Sequence, residues 1–435
     1  MRINKRSILP VCFTLVLLAF SASLLLPAGG SVKGKLDGDS RIIVIKAAHV
    51  LPMNGPEIQN GMVIVRDGKI LAVGRDLNVP DGAEIIDGGG GWLLPGMIEA
   101  HTTFAMSGGY DRPDTDEATN PNTAHLNILD GFNPFSKSVK YTARAGVTAS
   151  MITPGSRNVI GGQTAVIKHR GRTVEEMTIK SPAGVKFSLG EGPKETYGSK
   201  GQLPSTRMGS AYVVRKALLD AQHFLAQKIT SEAKAAAAKS SSAAFPAKRD
   251  LNLEILSAVL EGKMTVFIEC YRADDIMTAL RLVDEFGLKA VLVGATEGYK
   301  LDDEIAMREV PVIVSPIGVG PRRMETQEAS YTNAASLDRA GVKVIVKADE
   351  ALGVGQVREL PLLAAFAVKG GMERDKALRA ITLTAAEVLG VAERIGSLEV
   401  GKDADLVLFD GDPLHYRTRV RRVFIDGKEI PDVLK

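Results

Sequence analysis

The sequence predicts an α/β protein built around a (β/α)8 barrel, with a small β-sandwich formed by the two flanks of the barrel. Between residues 93 and 390, short β-branched runs alternate with longer helical stretches, as repeated βα units do. About eight strand-like runs fall within about 300 residues, which fits the usual size of a (β/α)8 barrel. Both flanks instead contain β-rich runs separated by turns. A doubly wound parallel sheet is the structural alternative.

The N-terminal flank, residues 40–92, is predicted to supply the first part of the β-sandwich. Two of its apolar runs are separated by Asp67 and Gly68, and an Asp-Gly pair in that position is a strong signal for a β-hairpin. The C-terminal flank, residues 391–435, repeats the pattern with Asp426 and Gly427. We therefore expect both ends of the chain to contribute strands to one small domain.

The barrel prediction specifies individual elements between these flanks. The candidate strands are residues 96–101, 147–152, 164–168, 184–189, 263–269, 289–294, 310–316 and 342–349. The candidate helices include residues 136–145, 207–227, 274–286 and 360–368. The segment 231–249 is rich in Ala, Lys and Ser and poor in large apolar side chains. Because it can bury little surface, we expect an exposed helix end followed by a flexible loop.

The charge balance restricts the kinds of partner. The 435 residues include 54 basic and 51 acidic side chains, a net charge of +3, and 5% aromatics. Without a basic run or interleaved aromatic and basic residues, there is no electrostatic case for binding nucleic acid. We expect a small-molecule or peptide-like substrate. The sequence leaves open a homo-oligomer or a heteromer with a paralogue.

The first thirty residues have the pattern of a targeting segment. Three basic residues precede an apolar run over residues 8–26, followed by Pro-Ala-Gly-Gly. This predicts a secretory signal peptide and export to the periplasm or the extracellular space. The run approaches the ~20 residues that span a bilayer, so an uncleaved N-terminal anchor is the alternative. Cys12 lies in this segment, which leaves Cys270 as the remaining thiol and permits no internal disulfide in a mature chain.

Several stretches resemble one enzyme superfamily. Residues 93–103, LLPGMIEAHTT, are similar to the first barrel strand of the amidohydrolase superfamily, and residues 382–413 resemble the closing segment of its imidazolonepropionase-like members. Further stretches, at 158–168, 184–194, 271–280 and 295–300, resemble one bacterial branch of that family. The resemblance implies a barrel that holds a divalent metal at the carboxyl ends of its strands, where the metal activates a water for attack on an amide-like carbon.

The resemblance also implies positions for the metal ligands, and most of them hold other residues here. His101 retains the first histidine of the first strand, and Asp349 retains the aspartate of the eighth strand, which in the family binds metal and carries the catalytic proton. The implied histidines at four further positions are replaced by Thr103 on strand one, Glu269 and Tyr271 on strand five, and Gly294 on strand six. Two of the implied ligands therefore remain.

Strand alternation predicts which side chains share the site. Glu99, His101 and Thr103 fall on one strand face, Glu269 on the same face as Tyr271, and Lys347 on the same face as Asp349. One hypothesis is an oxygen-rich metal site of His101, Glu269 and Asp349, with Glu191 as a further donor. Such a site suits Mn²⁺ or Mg²⁺ better than Zn²⁺. The hypothesis we favour instead places the Lys347 ammonium between Asp349 and Glu269, where it neutralises them without metal.

Two functions follow from these hypotheses. The first is metal-dependent hydrolysis of C–N bonds outside ordinary peptide linkages, such as those of cyclic amides or acyl-amino acids, with Asp349 as the catalytic residue. The second is a catalytically inactive binding or scaffold subunit, paired with an active paralogue. The histidines that match no implied ligand position are expected at the surface, and they are His49, His125, His169, His223 and His415.

Overall fold

The computed structural model describes residues 41–106, 114–237, 249–315, 323–348 and 357–431. The predicted targeting segment 1–30, Asp349 and residues 238–248 lie outside the described residues. Strands and helices are numbered here in chain order. Within the described ranges the strands form two sheets of eight strands each, a flanking sheet and a barrel sheet.

The flanking sheet combines strands from both ends of the described chain. Its strands are β1 (Ile42–Val50), β2 (Ile58–Arg66), β3 (Lys69–Gly74), β4 (Glu84–Asp87), β5 (Trp92–Pro95), β14 (Leu406–Phe409), β15 (Val420–Ile425) and β16 (Lys428–Glu429). They are ordered β16-β15-β14-β5-β1-β2-β3, with β4 paired to β1. Both flanks therefore supply one sheet. Residues 93–95, which the sequence analysis assigned to the barrel, belong to this sheet through β5.

Both predicted Asp-Gly hairpins are present. Asp67 and Gly68 connect β2 to β3 with φ of 50° and 79°, and Asp426 and Gly427 connect β15 to β16 with φ of 51° and 66°. Positive φ at both central residues matches the right-handed twist of the flanking strands, which explains why the tight turns form at these pairs.

The barrel sheet confirms the predicted fold class. Its strands are β6 (Met97–Thr102), β7 (Val147–Ile152), β8 (Ile160–Lys168), β9 (Thr178–Ser188), β10 (Thr265–Cys270), β11 (Ala290–Gly294), β12 (Val312–Val314) and β13 (Val344–Val346). Each overlaps a predicted strand, although β8 and β9 begin earlier than predicted, and neighbours follow the chain order from β6 to β13. One feature differs from repeated βα units, because β8 runs antiparallel to both β7 and β9. The connection of residues 153–159 is too short for the crossover that a parallel neighbour needs.

The four predicted helices are also present. The described helices are α1 (Lys137–Arg144), α2 (Val174–Met177), α3 (Glu191–Gly198), α4 (Arg207–Ala237), α5 (Leu251–Leu260), α6 (Ala273–Phe286), α7 (Asp302–Met307), α8 (Asn333–Arg339), α9 (Leu360–Lys369), α10 (Arg374–Ala380) and α11 (Leu383–Leu389). Helix α4 extends beyond its predicted end, into the segment expected to be an exposed helix end. In the described ranges, none of the helices combines the length and the apolar composition that crossing a bilayer requires.

Side chains on the barrel strands alternate between two hydrophobic cores, one between the strands and the helices and one inside the barrel. On β10, Ile268 packs with residues of α6 such as Ile276, whereas Phe267 packs with Val293 and Ile313 from other barrel strands. Because side chains alternate along a strand, Glu269 shares the inner face with Phe267. The surface prediction for His169 is wrong. This histidine is buried at the end of β8, where its Nδ1–H donates to the carbonyl of Val147 at 2.7 Å.

Candidate active site at the carboxyl ends of the barrel strands

A cavity of about 740 Å³ opens at the carboxyl ends of the barrel strands. Most of the predicted site residues line it, namely His101, Thr103, Glu191, Glu269, Tyr271 and Lys347. Glu99 and Gly294 do not line it, and Asp349 lies outside the described residues. Six of the nine predicted site residues therefore line one cavity, whose contacts also involve residues that were not predicted.

The central contact is a buried ion pair between Glu269 on β10 and Lys186 on β9. The two strands are parallel neighbours, with Lys186 opposite Phe267, so the lysine points to the inner face. Its Nζ lies 2.7 Å from Oε2 of Glu269. Ser156 Oγ donates to the same oxygen at 2.7 Å, and Tyr271 Oη donates to Oε1 at 3.0 Å. Both carboxylate oxygens of Glu269 are therefore engaged within the protein.

The ionisation of Glu269 follows from these contacts. Burial alone would raise the pKa of this carboxyl group, but attraction to the Lys186 ammonium, with smaller contributions from His101 and Lys347, lowers the pKa well below its ordinary value. The Lys186 ammonium donates further to the carbonyl of Pro154 at 3.0 Å and to Ser156 Oγ at 3.1 Å. Carboxylate and ammonium are thus both charged and both hydrogen-bonded, as a stable buried pair requires.

This pair was not part of the favoured hypothesis for the site. That hypothesis gave the neutralising charge to Lys347, which contributes to the low pKa of Glu269, whereas Lys186 is in direct contact with the carboxylate. The part of the hypothesis that concerns Asp349 falls outside the described residues. The sequence did contain a signal, because Lys186 lies inside the apolar strand GVKFSL. A lysine that is buried in such a strand needs a carboxylate partner close by.

His101 contacts Lys347 rather than a second imidazole. Lys347 Nζ lies 3.4 Å from Nδ1 of His101 and 3.4 Å from its carbonyl oxygen, and Thr153 Oγ1 lies 3.5 Å from Nε2. Burial, followed by repulsion from the ammonium groups of Lys186 and Lys347, lowers the pKa of His101 well below its ordinary value. The imidazole is therefore neutral near pH 7. Because an ammonium can only donate, the Nδ1 lone pair faces Lys347 and Nε2 carries the proton.

Tyr271 occupies space that a side chain at position 294 would need. Gly294 has φ of +88°, and a Cβ built on it would lie 2.7 Å and 2.9 Å from ring atoms of Tyr271. The tyrosine on strand five and the glycine on strand six are thus sterically matched. At position 294 the chain therefore offers room for the ring of Tyr271 and no side-chain ligand atom.

Glu99 lies behind the cavity wall and joins the two ends of the barrel sheet. Its Oε1 accepts from the backbone N–H of His101 at 3.2 Å, and its Oε2 accepts from the N–H of Ala348 at 2.8 Å. Ala348 follows β13, which together with β6 forms the ends of the sheet. The carboxylate therefore bridges the first and last barrel strands.

Next to the cavity-lining residue Met324 lies a further buried carboxyl group, Glu325, which was not predicted from the sequence. Glu325 Oε2 accepts from the N–H of Glu191 at 3.0 Å, at the start of α3. Burial, together with repulsion from Glu191 and Glu269, raises the pKa of Glu325 to about 7, against the opposing backbone hydrogen bond from Glu191. Gly190, with φ of +94°, lets the carboxyl approach, since a Cβ there would lie 2.7 Å from Oε2. Only the tertiary fold brings residues 190 and 325 together.

The described side chains do not fit a divalent metal at this site. Among the described residues, no three His, Cys, Asp or Glu side chains converge as ligands of one ion. Of the predicted ligands, Glu269 has both oxygens bonded, and the Nδ1 lone pair of His101 faces an ammonium. A catalytic zinc usually needs three protein ligands and an open position. We therefore assign no reaction step to a metal.

The comparisons with known proteins agree on the family. The model of the amidohydrolase family matches residues 319–430. The crystal structure of an amidohydrolase from Thermotoga maritima MSB8 has a TM-score of 0.83 and 36% identity, covering 89% of this chain and 99% of that one. Imidazolonepropionase of Geobacillus sp. (strain WCH70) is 26% identical over 383 residues, which is 81% of this chain and 84% of the relative.

A third relative is longer than this chain. Amidohydrolase tasK of Hapsidospora irregularis is 28% identical over 388 residues, covering 84% of this chain. The match spans 39% of the length of tasK. Identity above 30% over nearly the full length of the Thermotoga protein, together with the shared fold, establishes membership. The chain belongs to the amidohydrolase superfamily, in its imidazolonepropionase-like branch.

Proposed function

We propose that this chain binds a small polar or peptide-like molecule in the barrel cavity and does not hydrolyse it through a metal-activated water. The observation that carries the proposal is the Lys186–Glu269 ion pair, in which the carboxylate is already neutralised and fully hydrogen-bonded. The cavity, at about 740 Å³, is within the usual ~300–1,000 Å³ range of small-molecule sites. The cavity is thus large enough for a small molecule, while its described side chains do not supply the ligands of a metal.

Electrostatics support this choice. A metal-activated water needs a Lewis-acidic cation held by deprotonated ligands. Here the side chains of Lys186 and Lys347 line the same cavity as Glu269, so a dication at this carboxylate would lie close to positive charge as well as negative charge. To bind Glu269 it would also have to displace Lys186, which would leave a buried ammonium without its carboxylate.

Metal-dependent hydrolysis of a non-peptide C–N bond is the second candidate. It is favoured by similarity to amidohydrolases over most of the chain, and by the neutral state of His101, since a neutral imidazole is the metal-binding form. In this alternative Asp349 is the catalytic proton carrier, and His101 and Glu269 are its fellow ligands.

Metal content and turnover distinguish the two candidates. We expect the purified full chain to hold no stoichiometric Mn²⁺, Mg²⁺ or Zn²⁺ by elemental analysis. Added metal should leave the melting temperature unchanged, because a ligand of the folded state would raise it by mass action. One tightly held metal per chain, with chelator-sensitive turnover of cyclic amides or acyl-amino acids that Asp349→Asn abolishes, would support hydrolysis instead. Asp338→Asn, which alters an aspartate paired with Lys376 on the surface, is the matched control.

Ligand binding is tested separately, with cyclic amides and N-acyl-amino acids as probes. We expect at least one probe to raise the melting temperature in a concentration-dependent manner without being consumed. The cavity-filling variant Thr196→Trp, on the wall formed by α3, should remove that shift. An equal shift in this variant would place binding elsewhere and contradict the proposal.

A further inference from the structure

Helix α4 carries apolar side chains on two distinct faces. One face packs into the protein core through residues such as Val214, Leu218 and Ala221. The second face carries large apolar side chains that remain in solvent. Met208 is 80% exposed, Tyr212 and Leu219 are 54% exposed, and Ile229 is 58% exposed. A helix that already has a buried face normally presents polar residues on the other side, so the second apolar face needs an explanation.

The spacing of this outer face is that of a coiled-coil seam. We define the α4 stripe as Met208, Tyr212, Arg215, Leu219, Gln222, Ala226 and Ile229. Successive members are separated by alternating steps of four and three residues, which is the 3.5-residue repeat that keeps one helix face against a partner helix. Arg215 and Gln222 are the polar members, and polar residues at such positions set register at some cost in stability. The stripe therefore matches a helix partner better than an irregular surface.

We propose that the α4 stripe is a dimer interface in which it packs antiparallel against the same stripe of a second copy of this chain. The stripe carries Met208 and Tyr212 at its N-terminal end and Ala226 and Ile229 at its C-terminal end, where Ala226 lines a shallow surface depression. An antiparallel pair places Met208 and Tyr212 of each copy against the C-terminal end of the other stripe, and a two-fold axis makes both contacts identical.

This arrangement defines a register. With the axis between residues 220 and 221, Tyr212 faces Ile229 of the second copy and Arg215 faces Ala226. Leu219 packs against Gln222 close to the axis. Arg215, the charged member of the stripe, pairs with Glu285 of its own chain, and Lys216 beside it pairs with Asp220. Two copies can therefore approach without bringing unpaired charges of the stripe together.

The area of the stripe suits a dimer. From their exposures, its four large apolar side chains present on the order of 400 Å² of surface, which is the size of the largest apolar patch on a typical monomer, a patch that is often functional. An ordinary interface is about 57% non-polar, so this apolar area corresponds to roughly 700 Å² per partner. A standard interface buries about 800 Å² on each side, so one helix face and its polar rim come close to that value.

The first test is the mass of the full chain in solution. Sedimentation or light scattering should give a mass twice that of the chain. Leu219→Glu and Met208→Glu should each convert the dimer to a monomer with an unchanged circular dichroism spectrum, because both side chains are in solvent in the single chain. Met307→Glu is the matched control, since Met307 is 75% exposed on α7, away from the stripe, and its substitution should leave the dimer intact. A wild-type chain that is monomeric at micromolar concentration would overturn the proposal.

Cysteine cross-linking tests orientation and register. In a background with Cys12→Ser and Cys270→Ser, the double variant Tyr212→Cys/Ile229→Cys should form disulfide-linked dimers under mild oxidation. The two positions are about 25 Å apart along one helix, so they cannot bond within a chain. Tyr212→Cys alone should not cross-link, because antiparallel copies place residue 212 far from its equivalent. Efficient cross-linking of that single variant would indicate a parallel pair and contradict the proposed geometry.

Discussion

Two buried lysines on neighbouring strands, Lys186 and Lys168, differ in the number of carboxylates that they contact. Lys186 on β9 contacts one carboxylate, that of Glu269, beside the cavity. Lys168 at the end of β8 contacts three carboxylates where the barrel meets the flanking sheet, those of Asp403 at 2.8 Å, Asp405 at 3.0 Å, and Asp426. Both ammonium groups are almost completely buried. Asp403 also pairs with Lys69 and Arg394, so the two clusters differ in how many carboxylates share the buried ammonium rather than in its burial.

The ionisation of the carboxylates shows what this difference does. The pKa of Glu269 is held far below its ordinary value, whereas burial, with repulsion from Asp426, raises the pKa of Asp405 to about 6 despite the attraction of Lys168. Within the described structure, Asp405 Oδ2 has no hydrogen-bond partner, while both oxygens of Glu269 have one. The Lys186 ammonium thus keeps its single carboxylate partner ionised, whereas the Lys168 ammonium, shared among three carboxylates, does not offset the burial of Asp405.

The largest effect is expected when Lys186 is removed from its pair with Glu269. Lys186→Met should lower the free energy of unfolding by about 3–5 kcal/mol, because it leaves the Glu269 charge buried without its partner. Adding Glu269→Gln should recover much of this loss, since the double variant contains no uncompensated charge. Denaturant unfolding of the two single variants and the double variant gives the coupling energy.

An exposed pair provides the control for this cycle. Arg249→Met removes the partner of Glu254 on the surface, and it should change stability far less, since water replaces the lost contact. If Lys186→Met and Glu269→Gln were simply additive, the two residues would not act as a pair, and the main support for the proposed function would be lost.

Asp405 should give a pH dependence of the opposite sign to that of an ordinary paired carboxylate. Its folded pKa of about 6 lies above the ordinary value of 3.8, so its contribution to stability is fully present below pH 3.8 and is lost as the pH rises through 6. Relative to Asp405→Asn, the wild type should lose up to about 3 kcal/mol of unfolding free energy between pH 4 and 6. Unfolding curves of both proteins across this range measure the difference.

His169 supplies an internal contrast in the same pH range. Burial lowers the pKa of this imidazole from 6.5 to about 4, so its contribution is present above pH 6.5 and is lost as the pH falls through 4. Relative to His169→Gln, the wild type should therefore gain stability with rising pH, where relative to Asp405→Asn it loses stability. Two difference curves of the same sign would contradict the assigned charge states.

Local patterns predicted most of the fold, and non-local pairing explains what they missed. The eight barrel strands and both Asp-Gly turns follow from apolar runs and turn residues that lie close in sequence. The direction of β8 could not be predicted in this way, because the apolar pattern of a strand does not depend on its direction in the sheet. His101 and Glu269 were found through a motif. Lys186 was not recognised as the partner of Glu269, since that contact depends on the register between β9 and β10.

The smallest expected change in unfolding free energy comes from removing one hydrogen bond of the Lys186–Glu269 pair. Tyr271→Phe removes the donor to Glu269 Oε1 and leaves that oxygen in the condition of Asp405 Oδ2, while the ring beside Gly294 is kept. The loss should be about 1–2 kcal/mol, in the range for a buried acceptor left unsatisfied. Tyr299→Phe, whose hydroxyl donates to the carbonyl of Glu328 at an exposed site, should change stability much less. Equal losses in denaturant unfolding would mean that completing the hydrogen bonds of Glu269 is not what separates the two lysine clusters.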